Sequence, residues 1–194
     1  REFAGTDRVA GVTTTAGKTL SCDVAIVGIG VVPNVELAAA AGLACGNGIV
    51  VDEFARTADA HVVAAGDCTN HPLPPDGRRV RLESVPNAVH QAKVAAATLL
   101  DAPAAYSEVP WFWSDQYDLK LQIAGLNIGY DRIVTRKGEG DAASFWYYRG
   151  DDLLAVDAMN VSRAYMVGKR LIEMGKSPAP EVIETAPDLK ALLK

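Results

Sequence analysis

The 194-residue sequence has no apolar stretch approaching the roughly 18 residues that a membrane-spanning helix needs. Cysteine is scarce: Cys22, Cys45 and Cys68 are odd in number and evenly scattered. That spacing excludes a disulfide framework, a CxxC redox pair and a zinc site, and fits buried free thiols in a reducing cytoplasm. Positive charge is not in excess. Nineteen basic against 24 acidic side chains give a net charge of −5, which argues against a general binder of nucleic acid or anionic membrane. The three histidines, His61, His71 and His90, have no metal-ligand spacing, so no metal is expected. Gly-x-Ser-x-Gly, HExxH, P-loop and EF-hand patterns are all missing, which leaves hydrolytic and phosphoryl-transfer chemistry without support. There is no initiator Met and no signal-peptide core at Arg1, so the chain reads as beginning inside something longer.

What is present is ordinary globular composition, 49% hydrophobic and 22% charged. Residues 9–15 and 18–22 flank Ala16-Gly17 as a hairpin. Val24-Ala25-Ile26-Val27 reads as a strand of a parallel sheet buried on both faces, ended by Gly28-Ile29-Gly30. Asn34 is placed to cap a short Ala-rich helix closing at Gly42. Residues 48–52 and 61–67 read as two further strands, and the proline-bearing stretch 70–76 as a loop. From Ser84 the period changes: Val85, Ala88, Val89, Ala92, Ala95, Ala96 and Leu99 predict one apolar helical stripe, with Pro86 in the first turn.

Asp101-Ala102-Pro103 ends that helix and marks a domain boundary. Beyond it lie all three tryptophans and all six tyrosines. Strands at about 119–125, 131–137, 143–149 and 152–159 predict an antiparallel sheet. A helix over 161–174 follows, and then a short one opened by Pro187. The fold class is α/β followed by an α+β C-terminal domain.

Several residues could carry chemistry. Gly28 and Gly30 either let a nucleotide approach the backbone or only end a strand; Pro33 stands where GxGxxG needs its third glycine. The small residues before Asp67, including Gly66, place a carboxylate where a ligand can approach the main chain, unless Asp67 merely caps its loop. The N-terminus of the helix after Ser84 favours a ligand that gains negative charge, unless Ser84 caps it completely. Trp111-Phe112-Trp113 puts two indoles on one side of a strand, either as a hydrophobic anchor or beside a π-system.

Taken in order, residues 24–34 (VAIVGIGVVPN), 48–52, 57–68 (TADAHVVAAGDC), 81–88 (RLESVPNA), 110–118 (PWFWSDQYD) and 155–160 resemble the FAD-dependent, NAD(P)H-linked ferredoxin reductases over nearly the whole chain. The resemblance implies the tail of an NAD-binding domain over 1 to about 33. The returning half of a FAD-binding domain would span 34 to about 104, and a flavin-covering, partner-docking domain the remainder. It also implies that Asp67, with Gly66, contacts the FAD ribityl or phosphate region and that Val85 meets the flavin pyrimidine edge through its backbone. Trp113 would lie near the flavin and the ferredoxin approach, and Glu83 near the nicotinamide. Lys93, Arg78 and Arg79 would attract an acidic ferredoxin that serves an oxygenase. The family's two GxGxxG units are absent, so the 194 residues alone are expected to be colourless. The competing expectations are a non-catalytic docking module and a FAD reductase with another electron acceptor.

Overall fold

The computed structural model describes all 194 residues, which form two compact units, Arg1–Val32 and Pro33–Lys194. In the first, β1 (Glu2–Ala4), β2 (Gly11–Thr13) and β3 (Thr19–Ser21) make an antiparallel sheet in that order. The expected hairpin stands: Gly17 adopts φ 79° and its N–H reaches Thr14 O at 3.0 Å. The expected strand over residues 24–27 does not form, and Ile26 is 96% exposed. An apolar run becomes a buried parallel strand only where neighbours complete its ladder, and no strand of this unit lies beside it.

The second unit opens with α1 (Glu36–Ala40). Val35, not Asn34, occupies its cap position, without a side-chain hydrogen bond. The end follows the sequence expectation. Gly42 takes φ 76°, and the Gly42 and Leu43 N–H groups bond Ala39 O and Ala38 O, closing a Schellman motif. β4 (Cys45–Gly46), β5 (Gly48–Val50), β6 (Thr69–Leu73) and β7 (Arg78–Val80) form a mixed sheet in sequence order. Its one parallel pair sets Ile49 opposite Thr69.

The parallel strand lies later in the chain than the apolar pattern suggested. Residues 61–67 contribute only a bridge from Arg56 to Val63, whereas the strand runs through Pro72 in the expected loop. Pro72 is tolerated because β5 pairs only with Thr69 and Asn70, which leaves Pro72 with β7 alone.

α2 (Val85–Leu99) forms as expected behind its Ser84 cap, whose Oγ accepts from Asn87 N at 3.3 Å. Its buried face differs from the predicted stripe. Asn87, Gln91, Val94 and Ala95 are buried, while Val85, Val89 and Leu99 are more than half exposed. The helix carries two three-and-four registers, and the mixed polar one faces inward because it completes the hydrogen bonds of the chain beneath.

The C-terminal portion follows the sequence reading closely. β8 (Trp111–Gln116), β9 (Leu119–Gly125), β10 (Arg132–Lys137), β11 (Ala143–Arg149) and β12 (Asp152–Met159) make an antiparallel sheet ordered β10-β11-β12-β9-β8. α3 (Ser162–Glu173) covers it, burying Ala164, Val167 and Leu171 with Trp146 and Val156. α4 (Pro180–Thr185), which sequence reasoning missed, and a 3-10 helix (Leu189–Leu193) complete that core through Ile183 and Leu189.

α3 comes close to β12 at Gly168, where an added Cβ would stand 2.5 Å from Val156 Cγ2. Gly168→Ala is expected to lower stability by about 1–3 kcal/mol through overpacking, measured by urea unfolding. An unchanged midpoint would show that the helix can lift off the sheet without cost.

Candidate functional site

The N-terminus of α2 leaves one backbone donor free. Pro86 has no N–H, the Asn87 N–H is taken by Ser84 Oγ, and the Ala88 N–H closes on Ser84 O at 3.0 Å. Among the residues of α2 itself the Val85 N–H alone has no partner in the chain, so the positive end of a 15-residue helix presents this group. Val85 lies at the lip of an open cavity of about 340 Å³. The same cavity is lined by Val89, His90 and Lys93 of α2 and by Trp111 and Trp113 of β8, with the two indole centroids 5.6 Å apart. Glu108 stands 3.6 Å from His90 Nδ1 on its rim. A second cavity, of about 220 Å³, lies beside it and is lined by Glu83, Ser84, Trp111 and Phe112.

The turn carrying Asp67 is fixed to α2 from beneath. Gln91, 2% exposed, accepts from Gly66 N at 2.7 Å through Oε1. Thr69 Oγ1 lies 2.8 Å from both that oxygen and Gly66 O. With Oε1 so engaged, Nε2 donates to His71 Nδ1 at 2.8 Å, which makes His71 the neutral Nε2–H tautomer. His71 Nε2 has no partner, and burial, reinforced by the Arg79 charge, lowers its pKa to about 4. Tyr106 packs against His71 and His90 with ring centroids 4.9 Å from each, and burial beside Glu108 pushes its phenol up to about 12. Gly66 adopts φ 86°, a conformation that favours glycine at this turn.

The pyridine nucleotide-disulphide oxidoreductase family model matches residues 1–92, and the reductase C-terminal model matches residues 111–193. Rhodocoxin reductase of Rhodococcus erythropolis is 46% identical over 190 residues, covering 96% of this chain and 44% of that protein. Putidaredoxin reductase of Pseudomonas putida is 44% identical over 157 residues, covering 80% of this chain and 38% of that protein. The chain is similar to ferredoxin reductases along nearly its whole length. Its fold matches the solved ferredoxin reductase for the CYP199A2 system of Rhodopseudomonas palustris with a TM-score of 0.94 at 41% identity, covering 100% of this chain and 48% of that one. The covalent putidaredoxin reductase–putidaredoxin complex matches with a TM-score of 0.91 at 38% identity, covering 98% and 47% respectively. The chain therefore spans less than half the length of the relatives it matches.

Within this chain, Val85, Lys93 and Trp113 share the first cavity, and Glu83 lines the second. Asp67 is exposed in the turn before β6, not at the end of a parallel strand, and lines neither cavity. It is tied to the helix entry through Arg81, which donates to Asp67 O at 3.3 Å and pairs with Glu83 at 2.5 Å. Arg79 is committed to its own sheet, donating to Val51 O at 2.8 Å, to Asn70 Oδ1 at 2.8 Å and to Asn70 O. Arg78 pairs with Asp76 at 3.4 Å and lines a different cavity. Gly28 and Gly30 belong to the first unit, with nothing within 4 Å of a Cβ built on either.

Sequence reasoning missed Gln91, Arg81 and the linker residue Tyr106. Gln91 stands four residues after Asn87, and this polar i, i+4 pair was the available sign of an inward polar face.

His71 makes acid stability testable. Above its unfolded value of 6.5 the imidazole is neutral in both states; below it the unfolded chain takes up a proton that the folded chain refuses until about pH 4. Stability is therefore lost as pH falls through that window, by about 1.4 kcal/mol per pH unit from this group. Urea unfolding of His71→Leu between pH 6.5 and 5 is expected to show a slope shallower by one proton. An identical slope would mean that His71 is protonated in the folded chain.

Proposed function

We propose that these residues form one wall of the flavin site in a cytoplasmic FAD-dependent reductase that passes electrons from NAD(P)H to a ferredoxin serving an oxygenase. The single observation that carries this reading is the lone Val85 N–H at the mouth of a Trp-walled cavity. A flat, electron-rich ring with an acceptor at its edge fits that donor, and the helix dipole favours the negative charge such a ring gains on reduction. Bound FAD would supply conversion of a two-electron hydride into single electrons. Names and solved structures of relatives that are ferredoxin reductases support the partner.

In this reading residues 1–33, 34–104 and 105–194 are parts of the NAD-binding, FAD-binding and docking domains. The Asp67 carboxylate accepts from ribityl hydroxyls, with Gly66 allowing close approach. Glu83 stands on the nicotinamide side. Gly28 and Gly30 leave room for the nicotinamide nucleotide. Trp113 and Lys93 face the ferredoxin. Lys93 is the principal docking cation, because the Arg79 guanidinium is held by the sheet and Arg78 lines a different cavity.

The test replaces the matching part of rhodocoxin reductase with residues 1–194. The chimera is expected to purify yellow and to reduce a ferredoxin with NADH or NADPH, whereas the 194 residues alone lose added FAD on gel filtration. Lys93→Glu is expected to raise KM for ferredoxin about tenfold at low salt while leaving reduction of ferricyanide unchanged. Asp67→Ala is expected to lose flavin. A folded chimera without flavin would overturn the reading in favour of a docking module. A flavin-loaded chimera that reduces quinones but no ferredoxin would overturn the choice of acceptor.

A further inference from the structure

A third cavity, of about 170 Å³, adjoins the second, sharing Pro110, Gly125 and Leu126 with it, and is distinguished from it by Arg78, Arg149, Leu154 and Ile172. It sits where the β6–β7 turn meets the C-terminal sheet. Its wall is aliphatic, built from Val109, Leu126, Ile128, Leu154 and Ile172, and Ile128 is 52% exposed. Two arginines, Arg78 and Arg149, also line it. Arg149, at the end of β11, makes no ion pair and no side-chain hydrogen bond in the chain, although Asp152 lies opposite it across the strand pair. Arg78 is held by Asp76 at 3.4 Å, with its side chain 37% exposed and that of Asp76 53% exposed. An exposed ion pair of this kind is worth little, so its guanidinium can turn to a better acceptor.

An unpaired planar cation beside an open aliphatic hollow has a definite complement. We infer that this cavity binds a small monocarboxylate with a compact ring-shaped hydrocarbon body. The ring covers the Leu126, Leu154 and Ile172 surface, which removes apolar area from water. The carboxylate accepts from Arg149 in the paired geometry that guanidinium offers and lysine does not. The volume selects one ring rather than a cofactor, because cofactor pockets are several times larger. The Asp76 carboxylate on the rim selects against dianions, since a second negative charge would face it directly. This site owes nothing to the flavin reading and stands or falls separately from it.

The test is a titration of the intact 194-residue chain with sodium benzoate, followed by amide chemical shifts. Saturable shifts are expected at Asp76, Arg149, Leu154 and Ile172, which line this cavity and neither of the other two, with half-saturation at about millimolar concentration for so small a ligand. Benzamide, the neutral isostere, is expected to bind at least about tenfold more weakly, as is benzoate to Arg149→Gln. Hexanoate, which carries the same charge on a flexible chain, is expected to bind more weakly than benzoate. The benzamide comparison needs no variant, so it decides the matter even if Arg149→Gln folds poorly. The inference is overturned by linear, unsaturable shifts, by equal binding of benzamide, or by shifts confined to residues 83–93 at the other two cavities.

Discussion

The architecture of the candidate site depends on one buried amide. Gln91 holds Gly66 and Thr69 through its oxygen and His71 through its nitrogen, all within 2.8 Å, beneath the second turn of α2. A neutral side chain that both accepts and donates can satisfy a backbone N–H and an imidazole at once. Neither a carboxylate nor an ammonium can do this, and a hydrocarbon would leave each partner buried and unpaired. The clamp also explains why α2 turns Asn87 and Gln91 inward and Val85 and Val89 outward. Beneath Gln91 lies a folded turn whose polar groups need partners, while Val94 and Ala95 pack on an apolar cluster with Ala55 and Tyr106.

From that clamp the rest of the site follows in steps. The Asp67 turn is fixed relative to the helix, and Arg81 ties the same turn to Glu83 just before the helix begins. Ser84 and Pro86 then remove every free donor of the first turn except the Val85 N–H. Tyr106, bonded through its N–H to Glu53 O at 2.8 Å, straps the linker down and brings β8 with its two tryptophans to the cavity. Local hydrogen bonding thus sets the distance between a carboxylate turn, a polarised backbone group and an aromatic wall, and the flavin reading needs all three.

The C-terminal sheet was legible because its information is local. Alternating side chains and turn residues mark each strand of an antiparallel meander, and every expected strand formed within a residue or so. α4 escaped notice because six residues are too few to display a period. The first half was less legible for the opposite reason. Residues 24–27 are apolar enough for a buried strand, but pairing is a property of neighbours, and none lies beside them. Residues 61–67 misled because small apolar residues suit a turn packed against α2 as well as a strand, and a Cβ added at Gly66 would stand 3.7 Å from Ala88 Cβ. In α2 the helix was clear from periodicity, but its inward face was decided by hydrogen-bond demand that hydrophobic counting does not register.

The most direct test of the account removes the free donor and nothing else. Val85 stands at the first helical position, where proline is well tolerated, and Ser84 before it is already extended at φ −150° and ψ 144°. Val85→Pro in the flavin-loaded chimera is therefore expected to leave folding intact and to shift the bound flavin's two-electron midpoint potential negative, by about 30 mV for each tenfold loss of preference for the reduced form. A flavin that stays bound at an unchanged potential would contradict the claim that this backbone group meets the ring.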